Sequence, residues 1–503
     1  MKPDIGLANW FAQRALRTPE RKALHFEGRT WTYGQMQAAI ADCAARLSAL
    51  GVTKGERVAF LGHNQPMFLF SMFATARLGA IFVPLNFRLT DPELAFMLED
   101  SGAVVLIVDT HHAQTIAPLR ETLTGLKALL AAEDEASWAS DPAAAPQVTV
   151  AEDDVAMIMY TSGTTGRPKG AMLTHGNFWW NNANSMHSMD YLQSDVTLTA
   201  APIFHIGGLN VTTLATFQKG GLVVLHRAFD PGRALAEIAA HRVTTMFGVP
   251  AMFLFMAHHP TFAETDLSSI RVFVVGGAPC PLPLLKTYQA RGVPMQQGYG
   301  LTETAPMVTI LAPEFGFDKV GSSGKPALFI EVKLVDGEGK AVLEPGKQGE
   351  VLVRGSNVTP GYWNLPEATA LAIDADGWFR TGDAAFFDEE GFLTISDRIK
   401  DMIISGGENV YPAEVESALM RHSAIAEVAV IGEPDPQWGE AVVAIAALKP
   451  GQALDIEALR DFAGASLARY KLPRRLEIVA ALPRNATGKI LKYRLREMFA
   501  AKG

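Results

Sequence analysis

Cysteine is almost missing from this sequence: among 503 residues only Cys43 and Cys280 occur. Two thiols cannot build a multi-bridge secreted scaffold or a cysteine-based zinc site, and their scarcity fits a reducing, cytoplasmic setting. A long apolar run is missing too. The best stretch, Met67 to Phe87, is interrupted by Arg77, Gly79 and Pro84, whereas a spanning helix needs about 20 predominantly apolar residues. The start, Met1-Lys2-Pro3-Asp4-Ile5-Gly6, shows no apolar core behind its basic residue, so no signal peptide is read there. Positive charge is in deficit. A net charge of -9 argues against general nucleic-acid binding. Internal repeats and low-complexity tracts are absent as well.

What is present is a globular composition, 48% hydrophobic and 19% charged, in a chain long enough for several domain-sized units. Helical spacing over Leu7 to Leu16 is followed by a hairpin signal at Glu27-Gly28 and an amphipathic helix from Tyr33 to Leu50. Apolar strands at Arg57–Leu61, Ala80–Leu85 and Val104–Val108 then alternate with helices at Phe68–Leu78 and Glu93–Glu99. That alternation predicts an α/β fold with a mostly parallel sheet covered by helices. Residues 131–147, rich in Ala, Asp, Glu and Pro, read as an exposed connection. The alternation resumes beyond them. From about Phe317 the texture changes to short strands and glycine turns, which predicts a small β-rich subdomain up to Ser396. A charged run, Asp397–Asp401, is a candidate linker, and about a hundred further residues form a last unit. The expected domains are therefore 1–396, a hinge at 397–401, and 402–503.

The chemistry is concentrated in a few short stretches. Tyr160-Thr161-Ser162-Gly163-Thr164-Thr165-Gly166-Arg167-Pro168-Lys169-Gly170 follows an apolar strand. Glycines let several backbone N–H groups face one anion, the hydroxyls of Thr161, Ser162, Thr164 and Thr165 can donate to phosphate oxygens, and Lys169 adds a point charge. The stretch reads as a triphosphate cradle, although Pro168 and Gly170 around the lysine set it apart from a Walker A loop. Gly276-Gly277-Ala278-Pro279 follows a buried strand and leaves room for a flat base. Gln297-Gly298-Tyr299-Gly300-Leu301-Thr302-Glu303 offers a ring, a hydroxyl and a carboxylate that suits Mg²⁺. Read alone, Thr302 and Glu303 also suit a helix cap. Asp383 ends a tight turn and could accept two ribose hydroxyls. Lys489 follows a glycine near the end of the chain.

The conjunction of these stretches, in this order, resembles the adenylate-forming superfamily of acyl-CoA and aryl-CoA synthetases, amino-acid adenylation domains and firefly luciferases. The resemblance covers essentially the whole chain. It implies a large N-terminal domain of mixed, mostly parallel sheets with helices plus a β-rich subdomain, and a small mobile α+β C-terminal domain. It also implies ATP, Mg²⁺ and CoA as reactants. Under it Thr161 to Lys169, with Gly163 and Gly166, hold the β- and γ-phosphates. Gly277, Ala278, Pro279, Gln297, Gly298 and Tyr299 line the adenine. Thr302 meets the α-phosphate, Glu303 the magnesium, and Asp383 and Arg398 the ribose. Lys400 is the hinge, Lys489 reaches the reacting carboxylate and α-phosphate, and Gly406 and Gly407 flank CoA.

The resemblance also places His205, in Pro202-Ile203-Phe204-His205-Ile206-Gly207-Gly208, at the mouth of an acyl pocket. A packed histidine on a turn is the plainer reading of the same residue. The apolar tone of Phe204, Ile206, Met246, Phe247, Met252 and Phe253 favours a medium- or long-chain fatty acid, with a hydroxycinnamate as the alternative. Cys280 is expected to play no covalent part, since acyl transfer through AMP needs no enzyme nucleophile. A non-catalytic acyl or nucleotide sensor on the same fold is the reading from another class. The partners expected are small molecules, a carboxylic acid, ATP and CoA, with no nucleic acid. The basic end of the chain leaves room for a peripheral membrane contact, and the oligomeric state is not legible.

Overall fold

Strands that are apolar on both faces fix the architecture, because such strands must be covered on both sides. The computed structural model describes residues 4–116, 123–134, 138, 146–161, 168–278, 280–398, 401–405, 408–435, 439–465, 467, 469–484 and 490–500. It comprises two compact units, 1–332 with 353–379, and 333–352 with 380–503. This division by packing assigns 333–352 and 380–396, part of the expected β-rich subdomain, to the C-terminal unit. A hinge at 397–401 is a separate matter from that division, and Lys400 itself lies outside the described residues.

In the first unit the strands run β1 (Lys22–Phe26), β2 (Arg29–Thr32), β3 (Arg57–Leu61), β4 (Ile81–Leu85), β5 (Ala103–Val108), β6 (Ala128–Ala131), β7 (Val155–Thr161), β8 (Lys169–Thr174), β9 (Val196–Thr199), β10 (Leu222–Leu225), β11 (Thr245–Gly248), β12 (Val272–Val275), β13 (Met295–Gly300), β14 (Met307–Ile310) and β15 (Lys325–Pro326). They form a six-stranded sheet in the order β6-β5-β3-β4-β7-β8 and a nine-stranded sheet in the order β15-β14-β13-β12-β11-β9-β10-β1-β2. Alternation along single strands explains the six-stranded sheet. Val58, Phe60, Val105 and Ile107 join one core, and Ala59, Leu61, Leu106 and Val108 join another on the opposite face. The first of these cores also takes Leu24, Phe26, Val223 and Leu225 from the nine-stranded sheet. The helix Pro66–Arg77 belongs to that core and is buried at every position from Phe68 to Ala76, which is why its sequence is apolar all round.

Of the connection at 131–147, the described residues Ala131, Glu133, Asp134, Pro146 and Gln147 are exposed as expected, and two are not. Ala132 and Trp138 are buried, and Trp138 Nε1 donates to the Ala131 carbonyl at 2.9 Å. Both residues join the core that lies on one face of the six-stranded sheet.

In the second unit, 425–435 and 439–448 pair antiparallel, with 475–478 parallel to the latter. Alternation again puts Val428 and Val430 in one core and Ala429 and Ile431 in another. Helices 412–419 and 456–464 contribute to the first core and helix 492–500 to the second. In helix 456–464 Leu459 and Ala463 are the buried residues, whereas Phe462 is exposed. Among the described residues no helix is long and apolar enough to cross a membrane.

Candidate active site

Strands β10, β9, β11, β12 and β13 are mutually parallel. Their carboxyl ends therefore share one edge, where α/β sheets bind ligands. The loops leaving that edge carry part of the expected site of this unit: Pro202–His205 after β9, Gly276 to Ala278 after β12, and Thr302 and Glu303 after β13. Gly277 and Ala278 are exposed, with Gly277 at φ +80°. Tyr299 and Gly298 lie in β13 itself, opposite Thr309 and Ile310. Gln297 is committed to holding the loop. Its Oε1 accepts from Cys280 N at 3.2 Å and its Nε2 donates to the Ser322 carbonyl at 2.8 Å. Burial pushes the neighbouring Cys280 thiol up to about 12, so it is un-ionised and inert at neutral pH.

Thr302 and Glu303 sit in a single 3-10 turn, Thr302–Thr304. The turn is fixed from several sides by buried amides. Asn210 Nδ2 donates to the Ala305 carbonyl at 2.6 Å, Asn357 Nδ2 to the Thr304 carbonyl at 2.5 Å, and Met307 N donates to Asn181 Oδ1 at 3.0 Å. Gly300 has no room for a side chain, since a Cβ there would lie 1.7 Å from the Pro306 carbonyl oxygen. A carboxylate needed at one place is thus mounted on a backbone with little freedom.

Tyr362 completes this arrangement and was not singled out from the sequence. Its hydroxyl donates to Glu303 Oε1 at 3.0 Å, and its ring centroid lies 5.2 Å from Lys169 Nζ. Burial first, and the Glu303 carboxylate second, hold the phenol well above the ordinary tyrosine range. It therefore stays protonated and donating. Its backbone is tied to the expected cradle: Trp363 N donates to the Gly170 carbonyl at 2.8 Å and Met172 N to the Gly361 carbonyl at 3.0 Å.

That cradle is a hairpin. Thr161 at the end of β7 pairs with Lys169 at the start of β8, and the helix begins only at His175. Ser162, Gly163, Thr164, Thr165 and Gly166 lie outside the described residues, as do Pro279, Lys400, Gly406, Gly407 and Lys489. Lys169 and Glu303 are nevertheless joined through one phenol, so cation and carboxylate face a common space.

Phe247 and His205 lie beside the same edge. A Cβ on Gly207 would meet Phe247 Cε1 at 2.9 Å, and one on Gly276 would meet Phe247 Cε2 at 3.3 Å. The phenyl ring is therefore seated between two glycines. His205, one residue past the buried Phe204, has its Nε2 shut off from solvent without a protein partner. Burial lowers its pKa to about 4, with Arg88 adding to the effect. The imidazole is neutral at pH 7.

In the second unit Asp383 is buried and stands opposite Arg398 in the ladder between 379–387 and 393–398. Gly382 at φ +70° makes the turn, and Thr381 fixes it by donating to the Val351 carbonyl at 2.8 Å and accepting from Asp383 N at 3.1 Å.

A parallel sheet edge with a fixed carboxylate and an exposed glycine shelf, joined through Tyr362 to a lysine on the β7–β8 hairpin, has the layout of the ligand site of an α/β enzyme. Comparison with known proteins gives the family. A model described as AMP-binding enzyme matches residues 11–363, and one described as AMP-binding enzyme C-terminal domain matches 414–489. The chain belongs to the AMP-binding enzyme family and is an AMP-forming acyl-CoA synthetase, an acid–thiol ligase using ATP, Mg²⁺ and CoA. It is similar to a feruloyl-CoA synthase of an Amycolatopsis species, 45% identical over 497 residues, with 98% of this chain and 99% of the relative covered. A long-chain-fatty-acid–CoA ligase of Mycobacterium tuberculosis is 41% identical over 499 residues, covering 97% of each. A solved o-succinylbenzoate CoA synthetase from Bacillus subtilis, in complex with ATP and magnesium ion, matches with a TM-score of 0.87 at 37% identity, covering 97% of this chain and 99% of that one.

Proposed function

We propose that this ligase activates an aromatic, hydroxycinnamate-like carboxylic acid. The observation that carries the reading is the enclosed, unpartnered Nε2 of His205, whose ring packs against Phe204 at a centroid distance of 4.3 Å. A buried polar atom left unpaired costs about 1–3 kcal/mol. A phenolic or methoxy-bearing acid brings it a partner; an alkyl chain leaves it unpaired. The neutral imidazole of His205 suits an uncharged polar partner on the acid. The 45% identical relative is named a feruloyl-CoA synthase, which agrees. Expectation from sequence had ranked a medium- or long-chain fatty acid first, and that stays as the second reading. It is favoured by the buried Met246, Phe253 and Met252 and by the 41% identical relative.

In the first half-reaction a carboxylate oxygen attacks the α-phosphorus of ATP, and the bond to pyrophosphate breaks. Two anions meet, so positive charge must be fixed nearby. Lys169 and the cradle hydroxyls would hold the β- and γ-phosphates. Gly277, Ala278 and Tyr299 would flank the base, Thr302 would meet the α-phosphate, and Asp383 and Arg398 would hold the ribose. A buried carboxylate oxygen is a fitting ligand for a hard cation. Glu303 would hold Mg²⁺, which supplies Lewis-acid stabilisation of the phosphate charge. Lys489 would reach the reacting oxygens. In the second half-reaction the CoA sulfur attacks the acyl carbon and AMP leaves. Gly406 and Gly407 would face CoA after rotation about Lys400.

The test is acid-dependent exchange of pyrophosphate into ATP, run with ferulate, coumarate, cinnamate and the fatty acids from hexanoate to palmitate. Coumarate and ferulate should lead, and His205→Ala should reduce kcat/KM about 10- to 100-fold for coumarate but little for cinnamate. Preference for the alkyl acids, or equal loss on coumarate and cinnamate, overturns the aromatic reading.

A further inference from the structure

The six-stranded sheet has a carboxyl edge of its own, formed by the parallel strands β5, β3 and β4. His63 follows β3, Phe87 follows β4, and Asp109 and His112 follow β5. None of these residues has a part in the ligase site described above.

Asp109 is fully buried, and its two oxygens serve two imidazoles. Oδ2 lies 3.2 Å from His63 Nδ1 and Oδ1 lies 2.6 Å from His112 Nδ1. The carboxylate is locked in place by two backbone donors, His63 N and His112 N, each at 2.9 Å. The histidines keep access to solvent, with side chains 24% and 14% exposed. Phe87 packs against both rings, at centroid distances of 4.4 and 5.1 Å. One ligand atom from each of His63, Asp109 and His112 falls within 4.8 Å of the others.

We propose that His63, Asp109 and His112 bind one divalent transition-metal ion. Two imidazole nitrogens with one carboxylate form a set that suits Zn²⁺, Ni²⁺ or Cu²⁺ over Mg²⁺. Donor atoms about 2.1 Å from a common metal lie about 3.0 Å apart at a right angle and about 3.4 Å apart at the tetrahedral angle. The His63 contact to Oδ2, 3.2 Å, falls in that range, and the His112 contact to Oδ1, 2.6 Å, must widen by about 0.4–0.8 Å. The ion takes the Nδ1 lone pair of each neutral imidazole, whose single proton then sits on Nε2; a protonated ring has no lone pair to give, so binding weakens in acid. Water fills the open positions on the exposed side. The backbone donors and Phe87 hold the three groups in place whether or not the ion is bound.

Untagged, chelator-stripped, nucleotide-free protein titrated with Co²⁺ tests this, read by visible absorption and calorimetry. One Co²⁺ per chain should bind and be displaced by Zn²⁺. His63→Ala and His112→Ala should each weaken binding more than about tenfold. His241→Ala should leave it unchanged; that residue belongs to a separate group with His25 and Glu237. Thermal unfolding of each variant is recorded alongside, and the conservative His112→Gln decides the matter if an alanine variant unfolds. Absence of binding, wild-type binding by the His63 and His112 variants, or loss of binding in His241→Ala overturns the proposal.

Discussion

Lowering the pH from 7 to 5 should remove stability from the first unit through His175, and the size of the loss follows from its surroundings. His175 opens the helix His175–Ser188 and is 1% exposed. Its Nδ1 accepts from Leu7 N at 3.2 Å, while its Nε2 is buried without a partner. Burial lowers its pKa to about 4, against weaker opposing pulls from Asp154 and Asp4. The helix N-terminus also disfavours a cation there. The sign follows directly. The unfolded chain takes up the proton near pH 6.5, whereas the folded chain resists until near 4. The stabilising effect is therefore complete above 6.5 and is lost as the pH falls toward 4. Between pH 7 and 5 the loss is about 2 kcal/mol for this one group.

The variant that isolates it is His175→Asn, because an amide oxygen can still accept from Leu7 N and does not titrate. Urea unfolding of both proteins at pH 7 and pH 5 gives the measurement. The wild type should lose about 2 kcal/mol more than the variant over that interval. His205 and His226, lowered to about 4 by burial in the same way, contribute equally to both proteins and cancel. Equal losses in wild type and variant would refute the reasoning, since they would mean that His175 charges as readily folded as unfolded.

Three further outcomes concern the ligase site. Tyr362→Phe removes the hydrogen bond to Glu303 Oε1 but keeps the ring beside Lys169. Adenylation kcat should fall about 10- to 100-fold, the equivalent of one charge-assisted bond, with a raised Mg²⁺ requirement and little change in KM for the acid. An unchanged Mg²⁺ dependence contradicts the placement of Tyr362. Gly300→Ala forces a methyl onto the Pro306 carbonyl, so the turn carrying Glu303 must shift; pyrophosphate exchange should drop at least tenfold, and wild-type exchange would show that the turn has slack. Lys489→Ala should abolish acyl-AMP formation yet largely spare thioester formation from supplied acyl-AMP. Equal damage to both halves removes Lys489 from the role expected for it.

Much of the first unit was legible because its strands are buried on both faces. Arg57–Leu61 and Ala103–Val108 carry unbroken apolar runs for that reason. Short strands such as Lys325–Pro326 have no such signature, since two residues cannot show a period. At the connection from Ala131 onward, composition pointed outward while Trp138 packed inward. Local composition carries no information about which distant surface an indole will meet.

The candidate site divides along the same line. Residues whose chemistry is local to a strand end, such as Gly277 and Glu303, announce themselves as motifs. Tyr362 does not, because what gives it a role is 59 residues away in the chain, and it reaches Glu303 only after Trp363 N and Met172 N have tied 361–363 to the hairpin. Gln297 shows the converse. It sits inside a motif, yet both ends of its amide are taken up by Cys280 N and the Ser322 carbonyl. A motif marks where a site is built, but the hydrogen-bond partners decide which of its residues are left to meet a ligand. By that criterion Tyr362 and the unpartnered nitrogen of His205 say more about how this ligase treats its magnesium and its acid than the more conspicuous Gln297 does.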